Sequence, residues 1–172
     1  MHILVVGGGM GGTILANNLA RRLSGELEQG SSKITMLSAT DKHMYQPGLL
    51  YVAVGKMSTT ELYRDQKSLL EPSIDFHVDP VEKFDMDNNS VTTKSGKKIS
   101  YDILCIATGS RGNAAGIPGL AENACQFYTE ADALAMYKKL QKFEGGKVVV
   151  ATGVPHKCPM SPLEITFFLI DY

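Results

Sequence analysis

The chain has 172 residues, of which 44% are hydrophobic and 20% charged, and its formal net charge is −1. That balance fits a soluble globular domain and excludes a disordered chain, and the absence of any basic block argues against a nucleic-acid partner. Met1 and His2 run straight into Ile3-Leu4-Val5-Val6, so no secretory leader is expected. No apolar stretch approaches the roughly 20 residues of a spanning helix, so the expected location is cytoplasmic or peripheral on a membrane surface.

Ile3-Leu4-Val5-Val6 is an apolar run bounded by glycines, the pattern of a parallel strand buried on both faces. A helix is predicted over about residues 11–23. Leu15, Leu19 and Leu23 recur on one side of it, and Arg21 and Arg22 lie where its dipole favours cations. Ile34-Thr35-Met36-Leu37 reads as a second strand, which completes a βαβ unit with a right-handed crossover. An aromatic-rich loop over residues 42–54 contains Pro47-Gly48. Ser58-Thr59-Thr60-Glu61 is a capping box, predicting a helix to about Glu71 that Pro72 stops. Short runs at 74–78, 81–84, 91–93 and 99–106, separated by Asn88-Asn89 and Ser95-Gly96, predict an inserted antiparallel meander. A helix is expected over about residues 129–141, then a strand from Lys147 through Val150 and an apolar helix around residues 164–170. That helix ends without a cap and the strand has no successor to pair with, so the chain is expected to be a piece of a longer protein.

Gly7, Gly9 and Gly12 have the G-x-G-x-x-G spacing, with Met10 inside it. The first glycine permits a tight turn, the second lets the backbone approach a pyrophosphate, and the third lets helix and strand pack closely. The phosphates would then lie at the positive end of the helix. The position after the second strand, where an acidic residue is expected, holds Ser38 followed by Ala39. A serine hydroxyl can still bond a ribose hydroxyl, less strongly than a carboxylate. A second stretch, Tyr101-Asp102-Ile103-Leu104-Cys105-Ile106-Ala107-Thr108-Gly109, is an apolar strand ending in Ala-Thr-Gly.

That strand, returning after a meander, resembles the second FAD-contacting segment of the flavoprotein disulfide reductase superfamily. The resemblance implies FAD as cofactor, with Gly7, Gly9, Met10, Gly12, Ser38, Ala39, Pro47, Val81, Ala107, Thr108 and Gly109 as contacts and the adenine on the Val81 side. Where most relatives carry a second glycine motif, this sequence has Gly153-Val154-Pro155-His156-Lys157-Cys158-Pro159, followed by Pro162-Leu163-Glu164. This segment resembles sulfide:quinone oxidoreductase and also the flavoprotein subunit of flavocytochrome c sulfide dehydrogenase. Tyr45-Gln46-Pro47 and Ile117-Pro118-Gly119 fit as well, and the resemblance covers essentially the whole chain.

It implies that Cys158 lies beside the flavin and forms a redox disulfide with a cysteine further along the full protein. Sulfur transfer requires a thiolate, or a disulfide open to attack by one, beside an electron acceptor. Lys157 and a helix opening near Pro162 would both favour an anionic sulfur there. Cys125 matches a further cysteine that lies near the flavin in many members and sometimes bonds to it. Cys105, in mid-strand, reads as core, and His43, His77 and His156 as surface or loop residues. Three cysteines so far apart hold no local metal.

The expected architecture is α/β. Residues 1–111 form a Rossmann-like FAD-binding domain with a parallel sheet and a meander at about 74–100. Residues 112–144 are a linker and helix, and 145–172 open a second dinucleotide-type domain. The expected activity is FAD-dependent oxidation of sulfide through Cys158, with electrons passing to a quinone, and the piece by itself would be inactive. Peripheral membrane contact would come through a C-terminal region absent here, and a homo-oligomer stays open. Type II NADH dehydrogenase, the cytochrome-linked sulfide dehydrogenase and a non-catalytic FAD-binding module remain the alternatives.

Overall fold

A computed structural model describes residues 1–153 and 158–172. In chain order the elements are β1 (His2–Val6), α1 (Met10–Arg22), α2 (Ser24–Glu28), β2 (Lys33–Ser38), β3 (Lys42–Met44), α3 (Leu49–Ala53), β4 (Tyr63–Asp65), β5 (Ile74–Val78), β6 (Val81–Asp85), β7 (Ser90–Thr93), β8 (Lys98–Ser100), β9 (Ile103–Ile106), α4 (Leu120–Asn123), α5 (Glu130–Leu140) and α6 (Ser161–Ile170). The chain divides into two compact units. One comprises Met1–Met44 and Arg64–Ser110, the other Tyr45–Tyr63 and Arg111–Tyr172.

In the first unit β5, β2, β1 and β9 form a parallel sheet in that order. β1 lies inside it, and Val6 stands opposite Leu37 on one side and Ile106 on the other. Successive side chains of β1 enter two different cores, as the pleat requires. Ile3 and Val5 pack with Ala16 and Ala20 of α1 and with Ile34, Met36 and Ile74. Leu4 and Val6 pack on the opposite face with Leu37, Val91, Ile99 and Tyr101, under the antiparallel meander β6-β7-β8. Each such side chain contributes roughly 1.5–3 kcal/mol by leaving water. The continuous apolar run of β1 is therefore the signature of a strand covered on both faces. The result is a mixed α/β, Rossmann-type sheet with an antiparallel insertion.

In the second unit Leu49, Leu50, Val52, Ala53, Leu62, Ala133, Met136 and Ile165 are buried, with α3 packed on α5. Gly55 has a φ of +74°, and a Cβ there would come within 2.2 Å of the Tyr137 ring. Thr129 caps α5 by accepting from the Asp132 N–H at 3.1 Å. Tyr51 meets Phe168 edge-on, and the Lys56 ammonium lies 4.6 Å from the same ring.

Three expectations are corrected. The Ser58 box forms, with the Glu61 carboxylate accepting from the Ser58 N–H at 2.8 Å, but the helix is a single 3₁₀ turn, Thr59–Leu62. Two adjacent β-branched threonines and the lack of an apolar stripe give a longer helix nothing to bury. The chain instead becomes extended at Tyr63 and pairs with β3. Ile74–Val78 belongs to the parallel sheet, paired with β2, and the meander proper begins at Val81. Residues 147–150 form no strand. Val148, Val149 and Val150 are 50%, 76% and 39% exposed, and among the described residues no strand pairs with them. A β-branched run becomes a strand only when a neighbour completes its hydrogen bonds. Among the described residues, no helix is long and apolar enough to cross a membrane.

Candidate functional site

The first unit's site is built where β1 ends. The parallel ladder continues one residue past the strand on each side, with the Gly7 N–H donating to Leu37 at 2.8 Å and the Ala107 N–H to Val6 at 2.7 Å. Gly7 then turns with a φ of +118°, and a Cβ on it would lie 2.3 Å from the Ala107 carbonyl oxygen and 3.0 Å from the Thr108 nitrogen. A Cβ on Gly12 would lie 1.9 Å from the Gly7 carbonyl oxygen. At Gly8 it would meet the Ser38 hydroxyl at 2.5 Å. Gly7, Gly12, Ser38, Ala107 and Thr108, far apart in sequence, therefore meet at one turn.

Gly9 differs from these. A Cβ there would meet nothing within 4 Å, so the turn is open on that side. Gly9 is the N-cap of α1, with no side-chain cap and no acid in the first turn. Such a turn leaves backbone N–H groups available at the positive end of a helix, which is the donor set a pyrophosphate requires. The residues present thus fit the phosphate portion of a dinucleotide. Met10 is exposed at the start of α1, and Ala39, Thr108 and Gly109 are exposed near the strand ends. Val81 is half-buried at the start of β6, packed against the core under the meander. On this side of the sheet a cavity of about 270 Å³ is lined by Leu37, His77, Val78, Asp79, Ser95, Lys97 and Ile99.

Beneath the turn lies a polar group that the sequence does not advertise. Gln66 is fully buried. Its Nε2 donates to Thr13 Oγ1 at 2.8 Å, and its Oε1 lies 3.0 Å from His43 Nδ1. Both His43 Nδ1, at 3.1 Å, and Thr13 Oγ1, at 3.3 Å, face the Gly8 carbonyl oxygen. His43, expected to be a surface or loop residue, is thus engaged under the turn. His77 pairs with Asp75 at 2.8 Å. Nothing in the local pattern of Arg64-Asp65-Gln66-Lys67 marks the glutamine; only long-range packing does.

Pro47, Cys125 and Cys158 belong to the second unit. Pro47 is exposed in a 3₁₀ turn, Gln46–Gly48. Cys125 is exposed and Cys158 partly buried, and both are free thiols. Cys158 precedes α6, and its carbonyl accepts from Ser161 Oγ at 3.5 Å, while that same hydroxyl lies 2.9 Å from the Tyr128 hydroxyl. The readings that rest on Pro155, His156 and Lys157 lie outside the described residues. Cys105 packs against the core in β9, where burial pushes its thiol up, in keeping with a structural part. Among the described residues no cluster of His, Cys, Asp and Glu could hold a metal.

Residues 1–154 match the family model described as pyridine nucleotide-disulphide oxidoreductase. The chain is 38% identical over 152 residues to a sulfide-quinone reductase of Aquifex aeolicus, covering 87% of this chain and 34% of that protein. It is 29% identical over 177 residues to the mitochondrial sulfide:quinone oxidoreductase of Mus musculus, covering 99% and 38%. The solved structure of the sulfide:quinone oxidoreductase from Aquifex aeolicus matches with a TM-score of 0.68 at 34% identity, over 82% of this chain and 32% of that one. The chain thus spans about a third to two fifths of the length of these relatives. It belongs to the pyridine nucleotide-disulphide oxidoreductase family, whose members are FAD-dependent, and within that family it corresponds to the N-terminal part of the sulfide:quinone oxidoreductases.

Proposed function

We propose that the protein is an FAD-dependent sulfide:quinone oxidoreductase, of which these residues form the FAD-binding part and the cysteine-bearing segment that follows. Gly7, Gly9, Met10 and Gly12 would hold the pyrophosphate through backbone N–H groups. Ser38 and Ala39 would face the ribose, and Val81 the adenine. Ala107, Thr108 and Gly109 would form the opposite wall. Bound FAD would supply a two-electron acceptor that a quinone can reoxidise.

Cys158 carries the sulfur chemistry in this reading. In the oxidised enzyme it shares a disulfide with a cysteine outside residues 1–172. Hydrosulfide attacks the partner's sulfur. A new sulfur–sulfur bond forms there as a persulfide, the old one breaks, and Cys158 leaves as the thiolate with the electron pair of the broken bond. Once an acceptor thiol has taken the outer sulfur from the persulfide, the Cys158 thiolate and its partner's thiolate would re-form the disulfide. Re-forming it would release two electrons, which bound FAD would accept and a quinone would finally take up. Cys125 serves as an accessory thiol. Peripheral membrane contact, through a C-terminal region, would bring the enzyme to its quinone.

The observation that supports this reading above the others is Cys158 itself, a free and partly exposed thiol just ahead of α6. It stands in a segment where a nicotinamide-binding relative needs a second close-approach glycine turn. Pro155 has no amide hydrogen to offer a phosphate there. Anaerobic titration of the full-length protein tests the reading. Sulfide should bleach the flavin on mixing, and stoichiometric NADH should leave it oxidised. Rapid bleaching by NADH with none by sulfide would favour a type II NADH dehydrogenase instead.

A further inference from the structure

We propose that His43, Gln66 and Thr13 act together as a clamp that fixes the Gly8–Gly9 peptide, aiming the Gly9 N–H at the pyrophosphate and so setting FAD affinity without touching the cofactor. The inference rests on the reading that the glycine turn binds FAD.

The hydrogen-bond directions within the group are determined by its chemistry. Two carbonyl oxygens, of Gly8 and of Gln66, face His43 Nδ1, so that nitrogen carries the proton and donates to both. Thr13 Oγ1 accepts from Gln66 Nε2, which leaves its own proton for the Gly8 carbonyl. The Gly8 oxygen is therefore held by two donors from different parts of the chain, His43 on β3 and Thr13 on α1. Gln66 ties those two donors to each other from a site with no solvent exposure. A buried amide with one end unpaired would be costly, so the arrangement is all or nothing.

A trans peptide carries its carbonyl and its N–H on opposite sides. With the Gly8 oxygen turned in toward the clamp, the Gly9 N–H points out, toward the side where a Cβ on Gly9 would meet nothing within 4 Å. That N–H has no acceptor among the described residues. Turning this peptide over would break both bonds to the Gly8 oxygen. The clamp therefore presets a donor that a flexible glycine turn would otherwise have to orient at the moment of binding, and presetting strengthens binding.

The test uses the full-length protein stripped of flavin, with dissociation constants measured for FAD, for ADP and for adenosine. His43→Leu, Thr13→Val and Gln66→Met should each weaken FAD and ADP by a similar factor, roughly tenfold or more, as expected when a buried hydrogen-bonded group loses its partner. Adenosine lacks the pyrophosphate and should bind as to wild type. His43→Asn, which offers a donor where Nδ1 lies, and Thr13→Ser should restore nearly full affinity. Wild-type FAD and ADP affinity in the disruptive variants would overturn the proposal, as would an equal loss for adenosine. Should Gln66→Met fail to fold, the His43 and Thr13 pairs decide the matter. Gly9→Val is the control. Lost FAD binding there with wild-type binding in the clamp variants removes only the clamp, whereas retained binding removes the turn as the phosphate site and the clamp with it.

Discussion

The glycine turn of the first unit and the cysteine segment of the second are held in place for different reasons. At the turn, steric contact dictates nearly every residue: a single added methyl on Gly12 would sit 1.9 Å from a backbone oxygen, and one on Gly7 would sit 2.3 Å from another. Cys158 is described by other features. Its carbonyl accepts a long bond from Ser161 and its thiol is free. Residues of the first sort are required before there is any site, and Cys158, in the proposed reading, is required by the reaction. Substitutions should therefore fail in different ways in the two regions.

The largest effect is expected at Gly12. Gly12→Ala should destabilise the protein by on the order of 3 kcal/mol, because backbone rather than a flexible side chain must give way, and the protein should purify without flavin. A yellow variant with an unchanged Tm would break the steric account of the turn. Gly9→Ala sharpens the same point, since its methyl enters open space. The stability of the flavin-free protein should stay within about 0.5 kcal/mol of wild type while FAD affinity falls.

Next comes Cys158→Ser, which should keep both Tm and bound FAD and lose flavin reduction by sulfide. A hydroxyl is nearly isosteric with the thiol but too weak an acid to supply the anion. Normal bleaching in that variant would remove Cys158 from the mechanism. Cys125→Ser should show a milder loss, and a mass increment equal to FAD on denatured wild type, absent from the variant, would mark a covalent anchor.

A smaller change is expected at Thr129, where Thr129→Ala removes the cap of α5 and should cost about 1 kcal/mol in chemical denaturation, with FAD binding unaltered. The smallest concerns pH. Burial pushes Asp75 up, but the Lys33 ammonium at 2.7 Å and the His77 ring at 2.8 Å outweigh it and hold the carboxyl below its usual range. A carboxyl depressed on folding contributes stability above its unfolded value of roughly 3.9, and that contribution is lost as pH falls through the folded value. The side chain is 38% exposed, so water screens the effect to under about 1 kcal/mol. Asp75→Asn should lower stability near neutrality by that amount and match wild type in strong acid, so its profile is flatter below about pH 4, as unfolding curves across an acid series would show.

Legibility in the sequence divides along similar lines. β1, α1 and β2 could be read because each buries a periodic apolar set, and the glycines because their spacing is itself the geometry. Ile74–Val78 reads as part of the meander because it is an edge strand of the parallel sheet. Asp75 and His77 alternate with the apolar Ile74, Phe76 and Val78 just as they would on a half-exposed antiparallel strand. The valines at 148–150 looked like a strand because propensity is local, whereas pairing is not. The clamp was invisible for a third reason. A glutamine among charged residues looks solvated, and only its threonine and histidine partners, 53 and 23 residues away, show otherwise.

The contact between Gly7 and Ala107 also has a consequence for the order in which the protein can be made. β1 and β2 are close in sequence and can pair early, but the far wall of the turn arrives with β9, about a hundred residues after β1. Closing so long a loop is entropically slow and depends on the meander's having formed in between. During synthesis the three glycines emerge well before Ala107, and the crevice they line is finished among the last features of its unit. Until residue 107 is in place, a nascent chain has a glycine-rich turn and no cofactor site.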